Sequence, residues 1–150
     1  MSRRATTPER RLSLLLLVVA ASQRMGQLVD RELAAEGVDA GDYALLSLVG
    51  VRGPVRLTEV AAELGMPLTT ASDAIRRLEA GGRVERLPNP DDGRSSLFRL
   101  SAKGDTEWRR GWPALQRIDA RLIRELDDPA AVRLALETLG AAFESALTER

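Results

Sequence analysis

Thr58-Glu-Val-Ala-Ala-Glu-Leu-Gly-Met66, followed by Leu68-Thr-Thr-Ala-Ser-Asp-Ala-Ile-Arg-Arg-Leu78, reads as two short helices joined by a tight turn. Thr58 is placed to cap the first helix, Glu59 to Leu64, which carries Val60, Ala61 and Leu64 on one side. Ala62 is small enough to let the two helices approach, and Gly65 supplies the turn. The second helix is predicted from Pro67 or Leu68 to Ala80, with Gly81-Gly82 as its stop. Leu68, Ala71, Ile75 and Leu78 recur at spacings of three and four, the mark of a core-facing stripe. The opposite side collects Thr69, Thr70, Ser72, Asp73, Arg76 and Arg77. Hydroxyls and free first-turn amides suit phosphate, and a guanidinium pairs with guanine O6 and N7. An ordinary solvated helix face has the same composition, so the helix alone does not decide.

The residues after the helix pair narrow the choice. Arg83-Val-Glu-Arg-Leu87 and Ser95-Ser-Leu-Phe-Arg-Leu100 flank Pro88-Asn-Pro-Asp-Asp-Gly-Arg94, a turn-forming segment between two extended runs. This predicts a hairpin with a long tip. The tip ends in Arg94, and Arg86 and Arg99 lie on the two strands. An arginine on such a tip fits a narrow minor groove, where the potential is most negative. Asp92 is spaced to hold Arg94 by a salt bridge.

Upstream, Thr7-Pro8-Glu9 has the form of a helix start, and Gly37 that of a stop. The predicted helix, residues 8–36, would be about 44 Å long. Arg3, Arg4, Arg10 and Arg11 precede the apolar run of residues 14–21, a pattern that imitates a secretory signal. Met25, Leu28, Val29 and Leu33 carry the helical spacing onward, which favours a helix buried on nearly all sides. So much apolar surface on one helix calls for a second subunit. Asp39 is a candidate cap for a helix over residues 40–51 bearing Tyr43, Leu45, Leu46, Leu48 and Val49. Gly50 and Gly53-Pro54 are its expected end, and Val55-Arg56-Leu57 a very short strand. Ser101 is placed to cap a fifth helix with a kink or break at Pro113. Asp128-Pro129 opens a last helix carrying Val132, Leu136, Leu139, Phe143 and Leu147.

Composition narrows the function classes. The 150 residues contain no Cys and no His, which excludes a disulfide framework, a thiol switch and the commonest general base and metal ligand. No carboxylate pair announces catalysis, so neither an enzyme, a metal site nor a cofactor is expected. The formal net charge is zero, so nucleic-acid binding must rest on local charge. Residues 68–103 hold seven basic and five acidic side chains, a net of +2 that a dimer doubles.

The stretch from Leu57 to Gly104 resembles the MarR family of bacterial transcription regulators. The resemblance rests on Leu57-Thr-Glu-Val-Ala-Ala-Glu-Leu-Gly-Met66, Arg77-Leu-Glu79, Val84-Glu-Arg86, Pro88-Asn-Pro-Asp-Asp-Gly-Arg94 and Leu100-Ser-Ala-Lys-Gly104. It implies a mostly α (α+β) chain forming one domain over residues 1–150. A winged helix-turn-helix would occupy about residues 40–102, with dimerisation helices at about 8–36 and 105–147. It also implies a cytoplasmic homodimer, not membrane-bound, that represses by occluding a near-palindromic operator in double-stranded DNA. A small-molecule effector would relieve repression by changing the spacing of the two recognition helices. DNA contacts fall on Thr69, Thr70, Ser72, Asp73, Arg76, Arg77, Arg86, Asp92, Arg94 and Arg99. Tyr43 and Arg24 are candidates to line an effector pocket. Pro67 stands where the family often has a capping Ser, which leaves the cap to Met66 or Thr69. Asp73 either accepts from cytosine N4 or orients Arg76 or Arg77. The alternative is a winged-helix module that binds protein, which needs an apolar patch where residues 69–77 lie.

Overall fold

The computed structural model describes residues 13–149. Six helices and three short strands are arranged in the order α1 (Leu14–Ala35), α2 (Tyr43–Arg52), β1 (Val55–Arg56), α3 (Leu57–Glu63), α4 (Leu68–Ala80), β2 (Val84–Pro88), β3 (Ser96–Leu100), α5 (Ala102–Glu125) and α6 (Pro129–Thr148). The strands form one antiparallel sheet in the order β1-β3-β2. Val55 pairs with Phe98, while Val84 pairs with Leu100 and Arg86 with Phe98. The expected mostly helical chain with a small wing is what the residues build.

The core lies where α2, α4 and the sheet converge on the ends of α1 and α5. Leu33, Leu45, Leu46, Val49, Val60, Ile75 and Leu78 are fully buried in it, with Tyr43, Val84 and Phe98 around them. Helix α2 and α5 meet through two reciprocal slots. A Cβ at Gly50 would stand 2.5 Å from Trp108 Cδ2, and one at Gly111 would stand 2.6 Å from Tyr43 Cζ. Each aromatic ring therefore lies against the other helix where no side chain intervenes. Gly50 is thus not the end of α2, as the sequence suggests; Gly53, at φ 80°, ends it one residue after Arg52.

The Tyr43 hydroxyl donates to the Trp108 carbonyl at 2.6 Å. Burial pushes its phenol up to about 12. An unfolded tyrosine titrates near 10, so the neutral ring favours the folded state. That contribution is complete below about pH 10 and is lost as pH rises through about 12. Tyr43→Phe is expected to cost about 1 kcal/mol at neutral pH by removing the hydrogen bond. It should also flatten the alkaline decline of stability, which urea unfolding at pH 8 and 11 would reveal.

Several helix boundaries differ from expectation for identifiable reasons. The Thr7 start and the N-terminal arginines lie outside the described residues. Ser13 caps the described part of α1, its hydroxyl accepting from the Leu16 amide at 3.4 Å. Asp39 does not cap α2; its carboxylate accepts from Gly41 N–H at 3.0 Å, and Asp42 takes the cap position. Helix α3 starts at Leu57, because the Glu59 carboxylate reaches back to the Arg56 amide at 2.7 Å and Thr58 falls inside the first turn. It is Ala61, not Ala62, that is buried. Pro88 is paired with Ser96 and closes β2 instead of starting the turn. Helix α5 runs through the exposed Pro113 to Glu125 without a break.

Ser101 and Asp128 behave as expected. The Ser101 hydroxyl accepts from Gly104 N–H at 3.0 Å and the Asp128 carboxylate from Ala131 N–H at 2.9 Å.

The expected burial of α1 is not met within a single chain. Leu14, Leu15, Leu16, Leu17, Val19 and Met25 are all about half or more exposed. Helix α6 has no buried residue at all, and Leu134, Leu136 and Leu147 stand in solvent. Leu122 and Ile123 near the end of α5 are likewise left uncovered.

Candidate nucleic-acid interface

Helices α3 and α4 are linked by Gly65 at φ 61°, a left-handed conformation that only glycine adopts cheaply. The turn is closed by Met66 N–H donating to the Ala61 carbonyl at 3.0 Å. Pro67 then takes the cap position of α4, with no side-chain hydrogen bond to the first turn. Neither Met66 nor Thr69 caps the helix. Ala71 N–H is bonded to the Pro67 carbonyl, whereas the amides of Leu68, Thr69 and Thr70 have no partner among the described residues. A helix start with free amides and positive dipole end is a surface for anions.

Thr69, Thr70, Asp73, Arg76 and Arg77 are exposed on α4 and Ser72 is half-buried at the edge of the same face. Ala71, Ala74, Ile75 and Leu78 form the buried stripe. Leu68, expected in that stripe, is 50% exposed, and Ala74 takes a place in it instead. Asp73 forms an ion pair with Arg76 one turn on, which answers which arginine it orients. Arg77 turns back to Asp42 at the start of α2, with guanidinium-to-carboxylate distances of 2.7 and 3.0 Å.

The wing is organised by a residue that sequence reading passed over. Asn89 is buried; its amide donates to Ser95 Oγ at 2.7 Å and its Oδ1 accepts from Asp91 N–H at 3.1 Å. Asp92 Oδ1 accepts from the Arg94 backbone N–H at 3.0 Å, and the Asp92 carbonyl accepts from Ser95 N–H. Asp92 therefore fixes the Arg94 backbone; the expected salt bridge between their side chains is not formed. Arg94 is exposed and makes no ion pair among the described residues.

The two strand arginines do not share a surface. Pairing opposite the buried Phe98 puts Arg86 on the face of the sheet toward the helices. There it holds Glu79 through two contacts of 3.1 Å and lies 5.1 Å from the Phe98 ring centroid. The hydrogen bond to Glu79 raises the Arg86 pKa above its already high value, so the group stays charged. Arg99 pairs with Glu85 on the opposite face, at 2.9 Å. Arg86 thus braces the wing against α4, a role its position in the sequence does not disclose. Exposed ion pairs such as Arg76 with Asp73 and Arg99 with Glu85 are each worth little in water, and phosphate can compete for the same guanidinium.

The two proposed pocket residues differ in their surroundings. Tyr43 is a core group at 2% exposure, and Arg24 is exposed on α1.

The fold and this surface define a winged helix-turn-helix protein. Within that class, residues 36–95 match the model of the MarR family. The multiple antibiotic resistance protein MarR of Salmonella typhimurium is 27% identical over 88 residues, 59% of this chain and 61% of the relative. The chain thus spans about three fifths of the length of the curated relatives it matches. The transcriptional regulator MOSR of M. tuberculosis, solved in complex with DNA, superposes with a TM-score of 0.77 at 23% identity, covering 90% of this chain and 98% of that one. PcaV of Streptomyces coelicolor, solved with its natural ligand, gives 0.73 at 18% identity, covering 95% and 99%. At these identities the structures speak for the fold.

Proposed function

We propose that the protein is a DNA-binding transcription regulator that acts as a homodimer on a near-palindromic operator. The observation that carries this reading is the outer face of α4. First-turn amides without a partner among the described residues, hydroxyls and Arg76 share one exposed surface, and the wing next along the chain presents an exposed Arg94. Such a helix enters a major groove with its N-terminal residues toward the bases. The MOSR complex supports the reading because the same fold holds DNA there. The uncovered apolar surfaces of α1, α5 and α6 support the second copy, because one chain leaves them in water. This assigns dimerisation to the outer helices and DNA binding to residues 40–102. Residues Thr69, Thr70, Ser72, Asp73, Arg76 and Arg94 are the proposed contacts, while Asp92, Arg77 and Arg86 hold the surface in place. The protein works in the cytoplasm and is not an enzyme on this reading. Among the described residues no helix is long and apolar enough to cross a membrane. Repression by occlusion, relieved by a small molecule, is the proposed mode; PcaV with its ligand is the precedent for an effector on this fold.

Binding to mixed duplex DNA at 50 and 200 mM salt tests the proposal. Each pair of neutralised phosphates should contribute about a tenfold loss across that range. No binding at low salt, or a flat response, would favour the protein-binding module instead. Sedimentation should give about twice the 16.3 kDa chain mass; a monomer at micromolar concentration contradicts the dimer.

A further inference from the structure

Leu68 is the first residue of α4 and half exposed, although helical spacing places it one turn before the buried Ala71 and two before the buried Ile75. Around the helix it lies between the two faces, with the buried Ile75 on one side and Ser72 on the other, and its uncovered half adjoins the polar outer face. Leu57, Leu68, Thr69, Ser72, Asp73 and Arg76 line a shallow depression of about 320 Å³ at this end of the helix. The depression thus sets an uncovered aliphatic group beside hydroxyls, a carboxylate and a guanidinium. Single exposed leucines are common on surfaces. This one stands where a groove-entering helix meets base edges, beside free amides that favour the phosphate backbone.

In the major groove, one base-pair edge carries an apolar group, the thymine 5-methyl. The other edges offer donors and acceptors, against which a leucine side chain leaves polar atoms without partners. We propose that Leu68 is a specificity-determining residue that selects thymine at one position of each half-site by packing on its 5-methyl group. The proposal rests on the DNA-binding reading and deepens it. It divides the work at the depression: Arg76, oriented by Asp73, reads a hydrogen-bonding edge, and Leu68 reads a methyl.

The test begins with duplexes selected from random sequence by the full chain. Each thymine of the selected site is then replaced in turn by deoxyuridine, which removes the methyl and leaves pairing intact. One thymine per half-site is expected to show about fourfold weaker binding on replacement, the worth of one methyl group withdrawn from water. Leu68→Ala should bind the thymine and uracil duplexes equally while retaining its melting temperature, since the side chain it loses is half in solvent. If the full chain selects a site yet every replacement is neutral, or if Leu68→Ala keeps the same thymine preference, the assignment fails and DNA binding stands. If no duplex is selected at all, the DNA-binding reading falls and this assignment with it.

Discussion

Gly104→Ala is expected to destabilise the protein by about 3 kcal/mol or more, the cost of an overlap that no side-chain rotation relieves. Alanine in the first turns of a helix ordinarily helps, by up to about 1 kcal/mol relative to glycine. Here the sign reverses because a Cβ would stand 1.8 Å from the Arg83 carbonyl oxygen and 2.8 Å from its carbon. Both are backbone atoms. The same carbonyl accepts from Ser101 N–H at 3.0 Å, and the Ser101 hydroxyl donates to the Gly82 carbonyl at 2.6 Å while capping α5. Relieving the overlap therefore requires α5 to lift away from the end of α4 and to break this junction. Urea unfolding monitored by circular dichroism measures the effect. A loss below about 1 kcal/mol would show that the junction is not the rigid contact described.

Arg94→Ala has the second large effect, and it falls on binding rather than stability. Its side chain is exposed and makes no ion pair among the described residues, so the melting temperature should not move. If the wing tip enters a minor groove, a dimer loses two guanidinium contacts, and affinity should fall by about tenfold to a hundredfold at 100 mM salt. The slope of log affinity against log salt should shrink in magnitude by about two, one for each arginine removed. An affinity within twofold of the unaltered protein, at the same slope, means that the wing does not touch DNA. Arg86→Ala provides the contrast. Its guanidinium bridges Glu79 and covers the Phe98 ring, so it should disturb the wing's attachment before any contact with phosphate.

How far the sequence could be read depends on how local each cause is. The turn at Gly65, the caps at Ser101 and Asp128 and the hairpin are set within a few residues, and the chain builds them as its pattern predicts. Leu68 fails because periodicity reports only which residues share a stripe. Whether anything covers the stripe's first member depends on where α3 ends. Gly50 fails for the opposite reason: read alone it is a helix breaker, but its cause is Trp108, which arrives from another helix. The arginines divide in the same way. Asp73 with Arg76 is one helical turn and could be weighed from spacing, whereas Arg77 with Asp42 joins residues 35 apart. The extended runs around the tip are recognisable, but which residue opposes which is fixed by Asn89 closing the tip onto Ser95. That register sends Arg86 and Arg99 to opposite faces.

The continuity of α5 through Pro113 has a mechanical meaning. Its 24 residues make a single rod of about 36 Å, rooted beside the hairpin at Ser101 and ending next to the last helix. The Tyr43–Gly111 contact sits partway along it like a fulcrum. A tilt of about ten degrees over that length displaces one tip relative to the other by roughly 6 Å, more than the rise of a full helical turn. If two copies meet along these helices as proposed, small angular adjustments there would be geared into travel large enough to carry a neighbouring element out of step with the spacing of a double helix.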